Sequence, residues 1–426
     1  MTWIAMVESN LTGSGFQALA AAHALGCDVL FLTRSPQLYL SRPGVAPLFE
    51  RYVGEVVTVD TDDINALEEK LRPMMPGLRG VVTFGEYAVI STAAVARRLG
   101  LPGPDPDAVR RARNKDEFRS ICRRSGLPTP RYAVLSELDA VAAAVAAVGL
   151  PCVVKPVDES ASVGVRACFD LAEVTDTVAG LLAAPANSRG QARTSRVLIE
   201  ECLVGPEVSV EIIAAGTEVV VLGVTDKVLA GMPAFVEVGH TFPSGLALEL
   251  VEACGAAAVN AVRAVGLTDC VAHVELKVTA DGPRLIELNA RPAGDRICDL
   301  VRLATGIDVI TAALRIGVGL AVDCSARKSG AAAIRFLTPV PGRVRRIRGL
   351  EIACTVPGVV DVVVSVTEGS EIGQLRNSHR RAGHVVAEAD TAYAASHAAQ
   401  TASALILVET DVEARSGDLM LEGPEQ

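Results

Sequence analysis

Aromatic residues are scarce in this chain: Phe, Trp and Tyr make up 4% of its 426 residues, with a single Trp. A surface that stacks nucleobases needs aromatic platforms, so the scarcity argues against single-strand nucleic-acid binding. Clustered positive charge is missing as well. Lys and Arg number 40 against 50 Asp and Glu, a net charge of −10, and only Arg343 to Arg348 (RVRRIR) and Arg376 to Arg381 (RNSHRR) stand out as basic. Neutralising a phosphate backbone requires such clusters, so nucleic acid is a poor partner. No CxxC pair occurs, and the ten cysteines are scattered from Cys27 to Cys354. They read as small apolar core residues in a reducing compartment, without a disulfide framework or a zinc knuckle. Long hydrophobic runs are absent too. The richest, Ala140 to Val154, is about 15 residues and is cut by Gly149 and Pro151, too short to span a bilayer. The opening MTWIAMVESN has neither a basic n-region nor a cleavage signature. A cytoplasmic protein with no membrane partner is the expectation.

What is present is a large globular composition, 50% hydrophobic and 21% charged. The length suits roughly two to four domains with a sizeable core. Trp3 to Val7 reads as a strand, Phe16 to Leu25 as a helix stopped by Gly26, and Asp28 to Leu32 as the next strand. This is a doubly wound βαβ opening. The Glu8 to Gly15 turn matches a dinucleotide fingerprint only weakly, since a helix cap would use the same Ser and Gly. Further strands are expected at Val56 to Val59 and Gly80 to Phe84, and helices at Ile64 to Leu71 and Ala88 to Leu99. Glu86 follows a strand end, where open α/β sheets place ligand-binding residues. It reads equally as a charge at a helix N-terminus.

The turn-rich Leu101 to Pro106 marks a linker. One helix is expected over Ala108 to Ser125, carrying Lys115, and another over Glu137 to Val148. Pro151 to Pro156 is a buried strand that ends in Lys155, followed by the loop Val157 to Val165 with Ser160, Ser162 and Gly164. A lysine beside a Ser/Gly loop suits phosphate. Asp158 and Glu159 in the same loop would repel it unless they point away. Val197 to Leu203 and Glu207 to Ile213 read as strands, Asn187 to Ser195 as a polar loop, and Leu246 to Val265 as a helix. The tail beyond Ser325 alternates like strands at Ala331 to Leu337, Gly358 to Val366 and Gly383 to Ala389. A helix over Thr391 to Ile406 and a frayed acidic end after Val408 complete it.

The most informative stretch is His273 to Asp295, HVELKVTADGPRLIELNARPAGD. Alternating runs on either side of Asp281-Gly282-Pro283 predict a hairpin. Strand alternation places His273, Glu275 and Lys277 on one face, and Glu287, Asn289 and Arg291 likewise. Hard cations favour such oxygen donors, and Mg²⁺ usually takes one or two carboxylates plus substrate phosphates. Taken alone, the patch is better explained as a salt-bridged solvent face.

In combination these pieces resemble the ATP-grasp superfamily of carboxylate–amine ligases over most of the chain. Lys115, Lys155-Pro156, the Ser160 to Val165 loop, Glu200-Glu201-Cys-Leu203 with Glu207, and the spacing Glu275…Glu287-Leu-Asn289-Ala-Arg291 carry the resemblance. Within the superfamily the chain is most similar to the L-amino acid ligases that make dipeptides. The resemblance implies an ATP-grasp fold of mixed α/β and α+β class. Residues 1–107 would form an N-terminal doubly wound α/β domain and 108–325 the ATP-grasp domain, with a lid at about 130–200. Residues 326–426 would form a small C-terminal α+β subdomain. ATP would meet Lys115, Lys155, Ser160, Ser162, Gly164, Glu200, Glu201, Leu203 and Glu207. Mg²⁺, or Mn²⁺ in its place, would sit on Glu275, Glu287 and Asn289. Arg291 would stabilise an acyl phosphate, His240 would act on the substrate side, and Glu86, Gly294 and Asp295 would meet substrate. Amino acids would be the substrates and a homodimer the assembly. The alternatives are a biotin-carboxylase-like or purine-pathway ligase on the same scaffold, and a non-catalytic nucleotide-binding regulator. No Met-Lys-Met biotin attachment motif is present.

Overall fold

The computed structural model describes residues 2–11, 14–42 and 44–411. Four parallel strands open the chain: β1 (Trp3–Val7), β2 (Asp28–Thr33), β3 (Val53–Thr58) and β4 (Leu78–Val82), in the order β3-β2-β1-β4. Ile4, Met6, Val29 and Phe31 pack into one core, while Ala5, Val7, Leu30 and Leu32 pack into another on the opposite face. Burial on both faces is what a parallel sheet with helical crossovers demands. It is also why β1 and β2 read as apolar runs rather than as alternating strands. Glu86 opens a short turn of 3₁₀ helix, Glu86–Ala88, just past the end of β4.

The single helix expected over Ala108 to Ser125 is two helices, Pro106–Arg113 and Lys115–Arg124. Asn114 between them is extended, with φ −85° and ψ 110°. The amide N–H of Lys115 donates to the Val157 carbonyl at 3.2 Å, so the break ties this corner to the Ser/Gly loop. Both halves are amphipathic and one non-helical residue barely disturbs the period, so the pattern conceals the kink.

Next comes an antiparallel sheet of β5 (Tyr132–Leu135), β6 (Cys152–Pro156), β7 (Arg166–Cys168) and β8 (Val197–Glu201), ordered β5-β8-β6-β7. Its apolar face packs under the helices Val141–Val148 and Leu171–Ala183.

The remaining strands are β9 (Glu207–Ala215), β10 (Glu218–Leu229), β11 (Glu237–Phe242), β12 (Cys270–Thr279), β13 (Gly282–Asn289), β14 (Ala331–Leu337), β15 (Gly342–Arg348), β16 (Val359–Val364), β17 (Glu371–Ile372), β18 (Gly383–Ala389) and β19 (Leu407–Asp411). Eight of them make one antiparallel sheet in the order β13-β12-β9-β10-β11-β14-β18-β16. The β11–β14 pairing carries that sheet without interruption into the C-terminal segment. Strands β17, β15 and β19 form a separate small sheet.

The basic Arg343 to Arg348 tract is therefore a strand, with Arg345 on Asp411 at 3.2 Å and Arg348 paired to Glu409. Glu409 to Asp411, expected to fray, is held in β19 by this pairing; residues 412–426 lie outside the described residues. The cysteines are all free, and most are buried as expected. Cys202 and Cys324 are half-buried, and Cys354 is exposed on the short helix Leu350–Cys354. Among the described residues no helix is long and apolar enough to cross a membrane.

Candidate active site

The N-terminal sheet, the β5–β8 sheet and the hairpin end of the large sheet enclose a cleft of about 920 Å³. Every residue singled out from sequence lines it except Gly164. Gly164 has φ +73°, and a Cβ added there would lie 3.0 Å from Leu181 and 3.3 Å from Pro156. It is an exposed turn residue and does not line the cleft. The loop faces the cleft through Ser160, Ala161, Ser162 and Val163. Ala161 and Ser162 are also left-handed, at φ 56° and 58°. Non-glycine residues in that region are strained and collect at ligand clamps.

Of the two acidic residues of the loop, Asp158 does not line the cleft, and Glu159 does but is already engaged. Asp158 accepts from the Thr194 amide at 2.9 Å, and Glu159 accepts from Tyr87 Oη at 2.7 Å and the Ser188 amide at 3.0 Å. These bonds latch the Ser188 loop onto Tyr87 of the N-terminal domain, aided by Gln191 donating to the Tyr87 carbonyl at 3.0 Å.

The hairpin pairs His273 with Asn289 and Glu275 with Glu287, so all four share one face, and a register shift follows directly after Glu275. Each carboxylate already meets an ammonium. Lys227 Nζ lies 2.9 Å from Glu275, 3.1 Å from Glu207 and 3.3 Å from Glu237. Lys115 Nζ lies 3.3 Å from Glu287 and donates to the Glu159 carbonyl at 2.7 Å. Burial alone would raise the pKa of Glu275; Lys227 and His273 override it and hold the carboxylate well below its usual range. His273 contacts Glu211 at 3.0 Å through Nδ1 and Glu275 at 3.2 Å through Nε2. Burial opposes its charge, but the two glutamates raise its pKa to about 9.

Among the described residues no three His, Cys, Asp or Glu side chains converge as an ion cage. The donor set of Glu275, Glu287 and Asn289 nonetheless suits a hard cation. One terminal amide atom of Asn289 lies 3.1 Å from Glu287 Oε1 and 3.1 and 3.2 Å from the Glu86 oxygens. As a nitrogen it donates to all three. As an oxygen it joins Glu287 as a donor of the kind a hard cation takes.

Across the cleft, Lys155 Nζ sits 2.6 Å from Glu200, whose other oxygen is 2.5 Å from Arg119 Nε. Arg119 is fully buried and also donates to the Ile286 carbonyl at 2.6 Å. Burial lowers the pKa of Lys155 more than Glu200 restores it. The carboxylate of Glu200 is therefore spent on orienting two cations, leaving Glu201, Cys202 and Leu203 as the strand-end segment open to the cleft.

At the other end, Glu86 is buried between Arg291 and Arg113, the latter at 3.1 Å. Burial would raise its pKa, yet the two guanidiniums hold it below the usual range. Asp295 is gripped in a fork by Arg381 at 2.6 and 2.7 Å, and His240 Nε2 lies 3.3 Å from it. Glu86 and Asp295, expected to meet substrate, both line the cleft and are each already paired with arginine. His240, expected to act on substrate, is 1% exposed, and its Nδ1 is buried without a partner among the described residues. Its one polar contact in the site is Asp295.

Sequence reading did not single out Lys227, Arg113, Arg119, Tyr87 or Arg381. Each is a lone residue on a strand, helix or loop, and only tertiary pairing reveals it. Arg381 lies in the basic Arg376 to Arg381 tract, which was the one available signal.

Three family models match the chain. They are an ATP-grasp N-terminal domain over residues 19–103, an ATP-grasp domain over 148–299, and an L-amino acid ligase C-terminal domain 2 over 335–411. Uncharacterized protein y4rH of Sinorhizobium fredii is 32% identical over 391 residues, which is 90% of this chain and 78% of that one. Human carnosine synthase 1 is 31% identical over 277 residues, 61% of this chain. The match spans 33% of the length of that relative. In three dimensions the L-amino acid ligase from Bacillus licheniformis superposes with a TM-score of 0.81 at 23% identity, over 97% of this chain and 99% of that one. N5-carboxyaminoimidazole ribonucleotide synthetase from Thermotoga maritima follows the same fold, with a TM-score of 0.71 at 16% identity over 96% and 100% of the two chains.

Proposed function

Because the chain belongs to the ATP-grasp carboxylate–amine ligases, we propose that it joins two amino acids into a dipeptide, with ATP converted to ADP and phosphate. The observation that carries this reading is the convergence on one cleft of Lys115 and Lys155, the oxygen donors of the hairpin, and Arg291. The match of residues 335–411 to an L-amino acid ligase domain supports the amino-acid half of it.

In this reading Lys115 and Lys155 hold ATP phosphates under the Ser160–Ser162 loop. Glu201 to Leu203 take the adenine and Glu207 the ribose, while Glu200 keeps Lys155 aimed. Glu275, Glu287 and Asn289 would hold Mg²⁺, which supplies charge neutralisation to the phosphates when bound. A carboxylate is a poor electrophile at neutral pH. Phosphoryl transfer to it makes an acyl phosphate with a good leaving group, and such a transfer needs positioning and cationic stabilisation above all. Arg291 stabilises that acyl phosphate and the tetrahedral species formed when a neutral amine attacks. The latched Ser188 loop keeps water out meanwhile.

Phosphate release from ATP, measured across single and paired amino acids, tests the proposal. Release that requires two amino acids supports it. Release that requires bicarbonate instead would assign a carboxylase, and none under any pairing would leave only a nucleotide-binding role.

A further inference from the structure

Beyond Arg291 the cleft carries cations that the nucleotide half does not use. Two are internally neutralised: Arg381 by the fork on Asp295, and Arg296 by Asp299 at 2.7 Å and by Asp361. Arg42 and Arg189 differ. Among the described residues neither meets a carboxylate. Arg42 Nε is sealed from solvent with no hydrogen-bond partner among the described residues. Arg189 rests on the Ser9 carbonyl at 3.4 Å and lies 5.9 Å from the centre of the Tyr87 ring. Arg42 comes from the N-terminal domain, after the short helix Gln37–Leu40, and Arg189 from the loop of the β5–β8 sheet that closes over it. Both line the same cleft, near Leu38 and Phe16. They are joined through Tyr39 and Ser9: the Ser9 carbonyl that takes Arg189 also accepts from Tyr39 Oη at 3.2 Å, and the Tyr39 carbonyl accepts from the Arg42 amide at 3.0 Å. Two like charges held together without a counter-ion are unfavourable, and a buried N–H without an acceptor costs more.

We infer that Arg42 and Arg189 form a carboxylate subsite that holds the unreacting carboxylate of the amine-bearing substrate. This rests on the ligase reading and deepens it. The attacking amino acid brings a carboxylate that must be kept away from the phosphoryl donor while its amine is offered to the acyl group. Paired guanidiniums recognise a carboxylate through charge-assisted, often bidentate, hydrogen bonds. Since the two come from walls that must meet, an acceptor carboxylate also clamps the loop to the N-terminal domain. The subsite selects amino acids over simple amines and over substrates with a blocked carboxyl group.

The test compares phosphate release for the acceptor amino acid and for its carboxamide, in wild type, Arg42→Ala, Arg189→Ala and the Lys replacement at each position. In wild type the free acid is preferred. In the Ala variants the ratio of kcat/KM for acid over amide falls by about tenfold or more, the scale of a lost charge-assisted hydrogen bond, and Lys restores part of it. An unchanged ratio with normal rates overturns the inference. So does a rise confined to the KM for ATP, which would give these arginines to phosphate. If no pairing releases phosphate, the ligase reading falls, and calorimetric titration with malonate judges the subsite alone. Heat in wild type that is lost in the double Ala variant upholds the subsite, and equal heats in both reject it.

Discussion

Glu86 and Arg291 form a buried ion pair although 205 positions separate them in the chain. One comes from the end of a parallel strand in the first domain, the other from just past the hairpin of the large sheet. The guanidinium proposed to stabilise the acyl phosphate is thus aimed by a residue from the other side of the cleft. Replacing Glu86 by Gln leaves Arg291 and Arg113 facing each other without their counter-charge, at a cost on the order of 3–5 kcal/mol. Chemical denaturation of Glu86→Gln measures this, and a midpoint equal to wild type would contradict the pairing.

Arg291→Ala is expected to lower kcat by about 10²-fold or more, the scale of losing a transition-state donor. Arg291→Lys rescues little, because a point charge cannot hold Glu86 and reach the reacting group together. Single-turnover phosphate release checks both.

Glu287→Gln removes a carboxylate charge with almost no change in volume. Turnover should fall below detection while far-UV circular dichroism stays native, since among the described residues Glu287 has only Lys115 as an ion-pair partner and is partly exposed. Wild-type-like activity would remove Glu287 from the metal site.

His384 supplies a pH dependence. Burial, then the neighbouring Arg296, lowers its pKa below 6.5, against the pull of Asp361. The unfolded chain therefore takes up this proton at a higher pH than the native protein does. The contribution of His384 to stability is full above about 6.5 and is lost as pH falls through and below that value. Melting temperatures of wild type and His384→Gln should diverge at neutral pH and converge towards pH 5.

The cysteines give a test of burial. Cys122, Cys152 and Cys254 are pushed up to about 11, and Cys270 to about 12, by desolvation. Cys354 alone is exposed among the ten. A thiol reagent at pH 8 should titrate one fast group in the native protein, and Cys354→Ser should abolish that phase.

The parts legible in the sequence share a physical cause. Glu275, Glu287, Asn289 and Arg291 lie within one hairpin, where strand period and turn residues fix which side chains meet, and Lys155 ends a strand whose apolar run is unmistakable. Arg119 and Arg381 act through partners 81 and 86 positions away, and Lys227 and Arg113 through carboxylates on other elements, so no local pattern marks them. The same holds for β15 and β19. Alternating Arg on one and an acidic run on the other look like solvated charge until they are laid side by side. For Glu86, His240 and Asp295 the chain names the right neighbourhood, but the compensating arginines decide what these groups are free to do.

The β11–β14 pairing has an evolutionary and practical corollary. A cut near residue 325 would strip β11 of its neighbour and leave a row of unpaired backbone groups beside the site, a template for aggregation. The C-terminal segment is therefore not a module to be traded for another by simple fusion. Grafts that aim to change what this protein accepts should keep the strand and swap only the residues that look into the cleft.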